Sequence, residues 1–190
     1  MRFLGSLLAS VLLAGMASGQ ALAQMAPAPF ALAPPGTEFH WKNVLEPGTT
    51  SQVVVGQAEG YMANWTTNGE DRNGYLMCSH CSGRAPVDEQ DYARLWPLEV
   101  GKRIEFLRRR GNRSWGNSIE VIGTETLTLD EIGQVETYVV VNESSRIGGS
   151  WKGAQTIHFS PSLGWTVKFD YTDTEGENVS WEMTAHKPVQ

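Results

Sequence analysis

The stretch "GWTVKFDYTDTEGENVSWEMTAH", residues 164–186, decides the fold class. From Trp165 to Tyr171 an apolar side chain stands at every second position, and polar side chains stand between them. The same alternation runs from Val179 to Ala185. A period of two is typical of a half-buried strand, and Gly176 between the two runs is suited to the positive φ of a tight turn. The sequence therefore predicts an antiparallel hairpin whose two aromatic faces lie side by side.

The period of two recurs along the chain from Thr37 onward. It predicts an all-β protein, an antiparallel meander that forms a curved sheet, a half-barrel or a sandwich. One stretch differs, "VDEQDYARLWP", in which Asp88 is suited to cap a helix and Pro97 to stop it, so we expect one short helix near 89–95. The other predicted strands are Glu38–Lys42, Gln52–Val55, Gly60–Thr66, Gly74–Met77, Arg103–Arg109, Ser118–Ile122, Glu125–Leu129, Val135–Asn142 and Gln155–Phe159.

The N-terminus resembles an export signal. Met1-Arg2 precedes an apolar run that is too short to span a bilayer, and small residues lead to "ALAQ" at 21–24. We expect a signal peptide over 1–23, cleaved after Ala23, and a periplasmic or secreted mature protein without a transmembrane segment. An uncleaved anchor is the alternative. The net charge of −6 makes nucleic acid and anionic membranes poor partners.

The remainder of the chain divides into a leader and a β domain. Residues 24–36 are rich in alanine and proline and carry no charge, which indicates an extended leader. We expect residues 37–190 to form a single β domain. Two similar halves, 37–85 and 98–187, are also compatible with the sequence, because each contains a glycine, a strand, a turn and a strand end of valine shortly before glycine, V-V-V-G at 53–56 and V-I-G at 121–123. Chance likeness between short strands is the alternative.

Four motifs of the second half resemble a family of uncharacterised secreted or periplasmic bacterial β domains, a domain of unknown function. They are V-G-K at 100–102, V-x-G-x-E at 121–125, T-Y-x-V at 137–140 and S-P-x-L-G-W-x-V-K at 160–168. The resemblance covers about Leu98 to Tyr171. It implies a periplasmic antiparallel sheet, related to the half-barrels of lipoprotein carriers, and it implies no known activity.

The two cysteines, Cys78 and Cys81, stand in "NGYLMCSHCSG", residues 73–83. In an exported protein such a pair predicts a local disulfide that staples a turn. A redox site would need a helix to begin at Cys78, but an alternating run precedes it and Gly83 and Pro86 follow. A closed zinc site would need four ligands, and no second C-x-x-C is present. Thiol-disulfide chemistry stays the alternative reading of the function.

Two further sets of residues are candidate contacts with a ligand. The tryptophans exceed what so small a core needs, so an aromatic surface for an apolar or amphiphilic ligand competes with a purely structural role. The arginine cluster predicts either a grip on a phosphate-bearing envelope component or a solvated hairpin that deters edge pairing. The ligand candidates are Trp41, Trp65, Trp115, Trp151 and Trp165, and the anion candidates are Arg108, Arg109, Arg110 and Arg113.

No catalytic, metal or cofactor residues are indicated by the sequence. "DYTDTEGEN" places Tyr171 where a calcium loop needs its first carboxylate, and no G-x-S-x-G elbow is present. We therefore expect a protein of the cell envelope, non-enzymatic, that binds an apolar or amphiphilic ligand or a protein partner.

Overall fold

A computed structural model describes residues 25–76 and 89–189, except the side chain of Arg110. The predicted signal peptide, 1–23, lies outside the described residues, as do Cys78, Cys81 and the predicted helix cap Asp88. The described part of the chain forms one 10-stranded antiparallel sheet and a short helix. The prediction of an all-β, curved antiparallel sheet is confirmed.

The strands lie in the order β4-β3-β2-β1-β10-β9-β8-β7-β6-β5. One meander, β1 to β4, therefore lies beside a second meander, β5 to β10, and the two are joined in the sheet by the pairing of β1 with β10. The helix lies on the connection between the meanders and falls within the predicted range 89–95. The elements are β1 Glu38–Asn43, β2 Thr50–Val55, β3 Ala63–Thr67, β4 Glu70–Gly74, α1 Glu89–Ala93, β5 Arg103–Arg110, β6 Arg113–Leu129, β7 Gly133–Arg146, β8 Lys152–Ser160, β9 Trp165–Asp173 and β10 Asn178–Lys187.

The hairpin predicted from residues 164–186 is formed by β9 and β10. Trp181 lies opposite Phe169, and the turn contains Gly176 at a φ of 92°. The alternation is not strict, however, because the register between β8 and β9 shifts next to His158. Thr166, which the pattern assigned to the polar face, is consequently only 7% exposed. A bulge adds one residue to a strand and so moves the following side chains to the other face.

Two strand predictions differ from the structure. The predicted strand at 74–77 is replaced by β4, which begins directly after Asn68 and Gly69. These two residues have φ values of 51° and 84°, the conformation that an Asn-Gly hairpin turn requires. The predicted strands 118–122 and 125–129 are one long strand, β6, which continues through a register shift between Val121 and Gly123.

The core lies in two clusters on the sheet. The first is built on β5 to β8 and is covered by α1 and the segment that follows the helix, through Tyr92, Leu95 and Leu98. The second is built on β1 to β3 and on the ends of β6, β7, β9 and β10. Fully buried side chains of the first cluster include Ile119, Tyr138 and Ile157, and those of the second include Phe39 and Met183.

The segment predicted as an extended leader packs against the sheet. Ala28 forms a bridge with Leu98, and the hydroxyl of Tyr138 donates a hydrogen bond to the carbonyl of Ala26. Farther along, the N–H of Ala33 donates to the carbonyl of Gly164 at 3.1 Å. Residues 25–36 are therefore part of the packed structure. The single domain over 37–190 and the two similar halves stay predictions.

Within the described residues, no helix is long and apolar enough to cross a bilayer.

Candidate ligand-binding site

Rows of cross-strand neighbours explain how the sheet assembles a site. Side chains directly opposite each other on paired strands share a face. One such row joins Val121, Val140, Ile157, Phe169 and Trp181. Ile157 belongs to the first core cluster, so we call the face that carries this row the inner face.

The residue two positions farther along each strand lies on the same face, and these residues form a second row on the inner face. It runs from Ile119 through Asn142 and Gln155 to Tyr171. Asn142 and Gln155 are only 6% and 3% exposed, so this row places polar groups within the sheet's buried face. The inner face changes from apolar to polar at this row.

A third and a fourth row complete the polar end of the inner face. Asn117, Ser144 and Gly153 form the third row, in which the hydroxyl of Ser144 donates a hydrogen bond to Oδ1 of Asn117. The fourth row brings together Arg108, Trp115 and Arg146 from β5, β6 and β7.

An aromatic pocket of about 350 Å³ lies at the apolar end of the inner face. Trp165 forms its centre: its ring stacks on Phe39 at 5.6 Å and meets the edge of Trp65 at 5.9 Å. Trp41 approaches Phe169 at 6.3 Å. We define the aromatic pocket by Trp41, Trp65, Ile157, Trp165, Phe169 and Trp181.

The tryptophans of the aromatic pocket serve the core and the pocket wall together. Trp41 and Trp165 are 6% and 4% exposed, whereas Trp65 and Trp181 are half-buried. The indole Nε1 of Trp41 and the hydroxyl of Ser51, its cross-strand neighbour, make no hydrogen bond within the described part of the chain. Both atoms are buried, and the polar residues among the rings of the pocket wall include Thr67, Gln155 and Thr166.

An arginine pocket of about 360 Å³ lies at the polar end of the inner face. The guanidinium of Arg108 lies over the ring of Trp115, 5.3 Å from its centroid, in a cation–π contact. The cationic side chains outnumber the single lining carboxylate, that of Glu175. We define the arginine pocket by Arg108, Arg113, Trp115, Arg146, Trp151, Gln155 and Tyr171.

Gln155 lines both pockets. Its neighbours on β8 are Gly153 on the arginine side and Ile157 on the aromatic side. Successive inner-face positions on a strand lie about 6.6 Å apart. The row of Arg108 is therefore about 20 Å from the row of Trp181, three such steps along the strands.

Asp173 holds one wall of the arginine pocket in place. Its carboxylate accepts hydrogen bonds from the indole of Trp151 at 3.2 Å and from the hydroxyl of Tyr171 at 3.0 Å. The pKa of Asp173 lies below its ordinary value. Burial alone would raise this pKa, but the two side-chain hydrogen bonds and those from the N–H groups of Glu177 and Glu175 together outweigh burial. Burial, followed by the bond to Asp173, raises the pKa of Tyr171. The tyrosine thus stays a neutral donor to an ionised acceptor.

Gly153 makes room for this wall. A Cβ at this position would lie 3.0 Å from the ring of Trp151 and 3.2 Å from that of Tyr171. These distances are tighter than ordinary van der Waals contact, so the two rings cross the strand where only glycine leaves them space.

The structure groups the predicted site residues into two places. Trp41, Trp65 and Trp165 line the aromatic pocket, while Trp115, Trp151, Arg108 and Arg113 line the arginine pocket. Arg109 alternates with Arg108 on β5 and is exposed on the opposite face. The side chain of Arg110 and the predicted disulfide, Cys78–Cys81, are outside what the structure describes, so thiol chemistry stays a prediction.

Sequence reasoning missed Arg146 and Tyr171 as site residues. Tyr171 was assigned to the core face of the closing hairpin, which is also the face of the pockets. Arg146 carried no signal, because only the register of β6 with β7 places it opposite Trp115.

Three solved structures are similar to this chain. The hypothetical lipoprotein YmcC from Escherichia coli superimposes with a TM-score of 0.52 at 14% identity, over 84% of this chain and 90% of that one. A protein assigned to export, with a YmcC-like fold, from Bacteroides fragilis gives 0.45 at 14% identity over 84% and 99%. A lipoprotein candidate from Parabacteroides distasonis gives 0.45 at 12% over 86% and 100%. No family model and no curated protein matches this chain. The similarity to YmcC shows the curved-sheet fold.

Proposed function

We propose that this protein is an exported, non-enzymatic protein of the bacterial cell envelope that binds an amphiphilic molecule on the inner face of its sheet. The observation that carries the proposal is that two pockets on the inner face share Gln155 as a lining residue. An aromatic pocket and an arginine pocket meet at Gln155 on a single face, and they offer apolar surface and cationic groups in sequence.

The size of the pockets favours a small molecule over a protein partner. Each encloses about 350 Å³ or slightly more, which lies in the range of small-molecule sites. Such sites are typically apolar with a few well-placed polar groups. The aromatic pocket fits that description, because polar residues such as Thr67, Gln155 and Thr166 stand among its rings.

Binding of a neutral apolar dye, N-phenyl-1-naphthylamine, tests the proposed function. The protein should bind the dye, and Trp181→Ala should weaken this binding by about tenfold. The reason is that tryptophan is among the residues that most often carry a large share of the free energy of binding. Leu107→Ala is the control, since Leu107 is 62% exposed and lines neither pocket. Equal weakening by both substitutions, or no dye binding by the folded protein, would contradict the proposal.

A further inference from the structure

We infer that the arginine pocket is the subsite for the anionic head group of this amphiphile, and that the group it takes is a phosphate ester. The inference rests on the proposed function, because it assigns a role to one end of the same groove. It adds the charge of the ligand, the direction in which it lies and the side chains that select it.

Positive charge is concentrated at this pocket. This chain has a net charge of −6, yet the pocket is lined by three cations, Arg108, Arg113 and Arg146, and by one carboxylate, Glu175. A second carboxylate, that of Asp173, is hydrogen-bonded to the wall residues Trp151 and Tyr171. Among the described residues, none of the ion pairs involves Arg113 or Arg146. Other basic side chains, such as Arg103 and Lys42, do pair with carboxylates. The charges of Arg113 and Arg146 are therefore not neutralised by an ion pair within the described part of the chain.

The arginines of the pocket come together from different strands. Three separate strands, β5, β6 and β7, bring Arg108, Arg113 and Arg146 to one pocket, although only two of these residues are near each other in sequence. Guanidinium groups present planar, forked donors that match phosphate oxygens. A phosphate ester has oxygens enough to engage more than one arginine, whereas a single carboxylate is matched by one fork.

Contacts within its wall hold the arginine pocket in shape. Asp173 orients the indole of Trp151, and the ring of Trp115 lies under Arg108. The pocket is also lined by the buried amides of Asn142 and Gln155, which supply polar groups for the glycerol or sugar oxygens beside a phosphate. The site offers more than exposed arginines on a hairpin.

The positions of the two pockets set the direction in which a lipid would lie. The arginine row lies about 20 Å from the row of Trp181 along the strands. The acyl chain of a long-chain lipid would extend from the arginine pocket past Gln155 into the aromatic pocket. A free phosphate ion would use only the first of these pockets.

The test compares three probes on the full mature chain. They are oleoyl lysophosphatidic acid, the neutral monoacylglycerol with the same acyl chain, and inorganic phosphate. We expect the lysophosphatidic acid to bind at least about tenfold more tightly than the monoacylglycerol, an advantage that falls as salt is added. Inorganic phosphate should compete only weakly, because it leaves the aromatic pocket empty.

Arginine variants test which side chains cause the preference for the phosphate ester. The double variant Arg113→Gln with Arg146→Gln should reduce the advantage of the phosphate ester over the monoacylglycerol to about threefold or less. Arg109→Gln is the control, because it removes one positive charge from the β5–β6 hairpin on the opposite face of the sheet. Melting curves of all variants establish that they are folded at the assay temperature.

The possible outcomes distinguish failure of the head-group inference from failure of the proposed function. Equal binding of the two lipids, or equal effects of the Arg109 and Arg113/Arg146 substitutions, would overturn the head-group inference and leave the proposed function standing. Tight binding of inorganic phosphate alone would identify a free-anion site and overturn the inference of an amphiphile. Binding of neither lipid nor phosphate would overturn both the inference and the proposed function.

Discussion

Trp165 shows at the scale of one residue how a core side chain also builds a pocket wall. It is 4% exposed and contacts the rings of Phe39 and Trp65, so its removal leaves a cavity between two meanders. Neighbouring rings in such clusters stabilise one another beyond the area that they bury. The same ring faces the aromatic pocket, which is why its role in stability and in binding must be measured together.

The substitution Trp165→Ala should lower the free energy of unfolding by about 3–5 kcal/mol, the usual cost of removing a buried aromatic side chain. Thr172→Ala, at an exposed position of the same strand, should cost less than about 0.5 kcal/mol. Urea denaturation measures both values. An unchanged stability of Trp165→Ala together with lost dye binding would show that the ring is ligand surface rather than core.

His158 is a second residue whose surroundings predict a measurable effect. It is 6% exposed, with Glu125 at 3.5 Å and with Lys168 and Asp170 nearby. Burial lowers the pKa of His158 below the ordinary 6.5 and outweighs the opposite effect of Glu125. The folded state then binds fewer protons than the unfolded state. The stability contribution of His158 is therefore present above pH 6.5 and is lost as the pH falls below it.

Replacing His158 by glutamine should remove this part of the pH dependence. Between about pH 7 and about pH 5 the melting temperature of the wild type should fall more steeply than that of His158→Gln. Carboxylates titrate in both proteins, so the difference between the two curves isolates the histidine. Parallel curves would show that burial does not lower its pKa.

At the scale of elements, the N-terminal segment and the β8–β9 turn depend on one glycine. Gly164 has a φ of +60°, and a Cβ there would lie 2.4 Å from the N of Ala33 and 2.7 Å from the carbonyl carbon of Leu32. Backbone atoms cannot yield as the end of a flexible side chain can. The approach of residues 25–36 to the sheet therefore requires glycine at this turn.

The substitution Gly164→Ala should displace the segment and cost about 2 kcal/mol or more, through clash and strain together. Gly111→Ala is the matched control: its φ is +58° but no atom lies within 4 Å of the added Cβ, so it reports strain alone. Limited proteolysis should release the N-terminal segment from the first variant only. Equal protection in both variants would mean that the packing against Gly164 does not hold the segment.

At the scale of the whole molecule, the pairing of β1 with β10 joins two meanders into one sheet. The second core cluster draws side chains from both meanders, including Phe39 and Val53 from one and Trp165 and Met183 from the other. Because neither meander buries these side chains alone, we expect the two to unfold together.

Denaturant unfolding should therefore show a single transition, with coincident curves from circular dichroism and tryptophan fluorescence. Such coincidence would agree with one domain over 37–190. Two separate transitions would instead indicate that the halves 37–85 and 98–187 fold independently.

Export makes a prediction for the whole chain as well. Mass spectrometry of the exported protein should find the N-terminus at Gln24, directly after the predicted cleavage site. Met1 retained in the mature product would show that the N-terminal segment serves as an uncleaved anchor.

The sequence by itself determined the fold class and the closing hairpin. Alternating patterns such as Trp165 to Tyr171 are local properties, and a turn residue such as Gly176 limits which strands pair. The Asn68-Gly69 turn carried an equally local signal, which was overlooked. The bulges beside Val121 and His158 could not be predicted from the sequence, because a bulge is defined by the pairing with the neighbouring strand.

Only the tertiary structure decided the site. Trp115, Arg146 and Tyr171 meet because register, set by pairing between strands far apart in sequence, places them on one face. The same geometry separates Arg108 from Arg109, which the sequence had grouped together. Local pattern reports which side chains share a strand face, but the neighbours across strands depend on non-local pairing, whose energy is spread over the entire sheet.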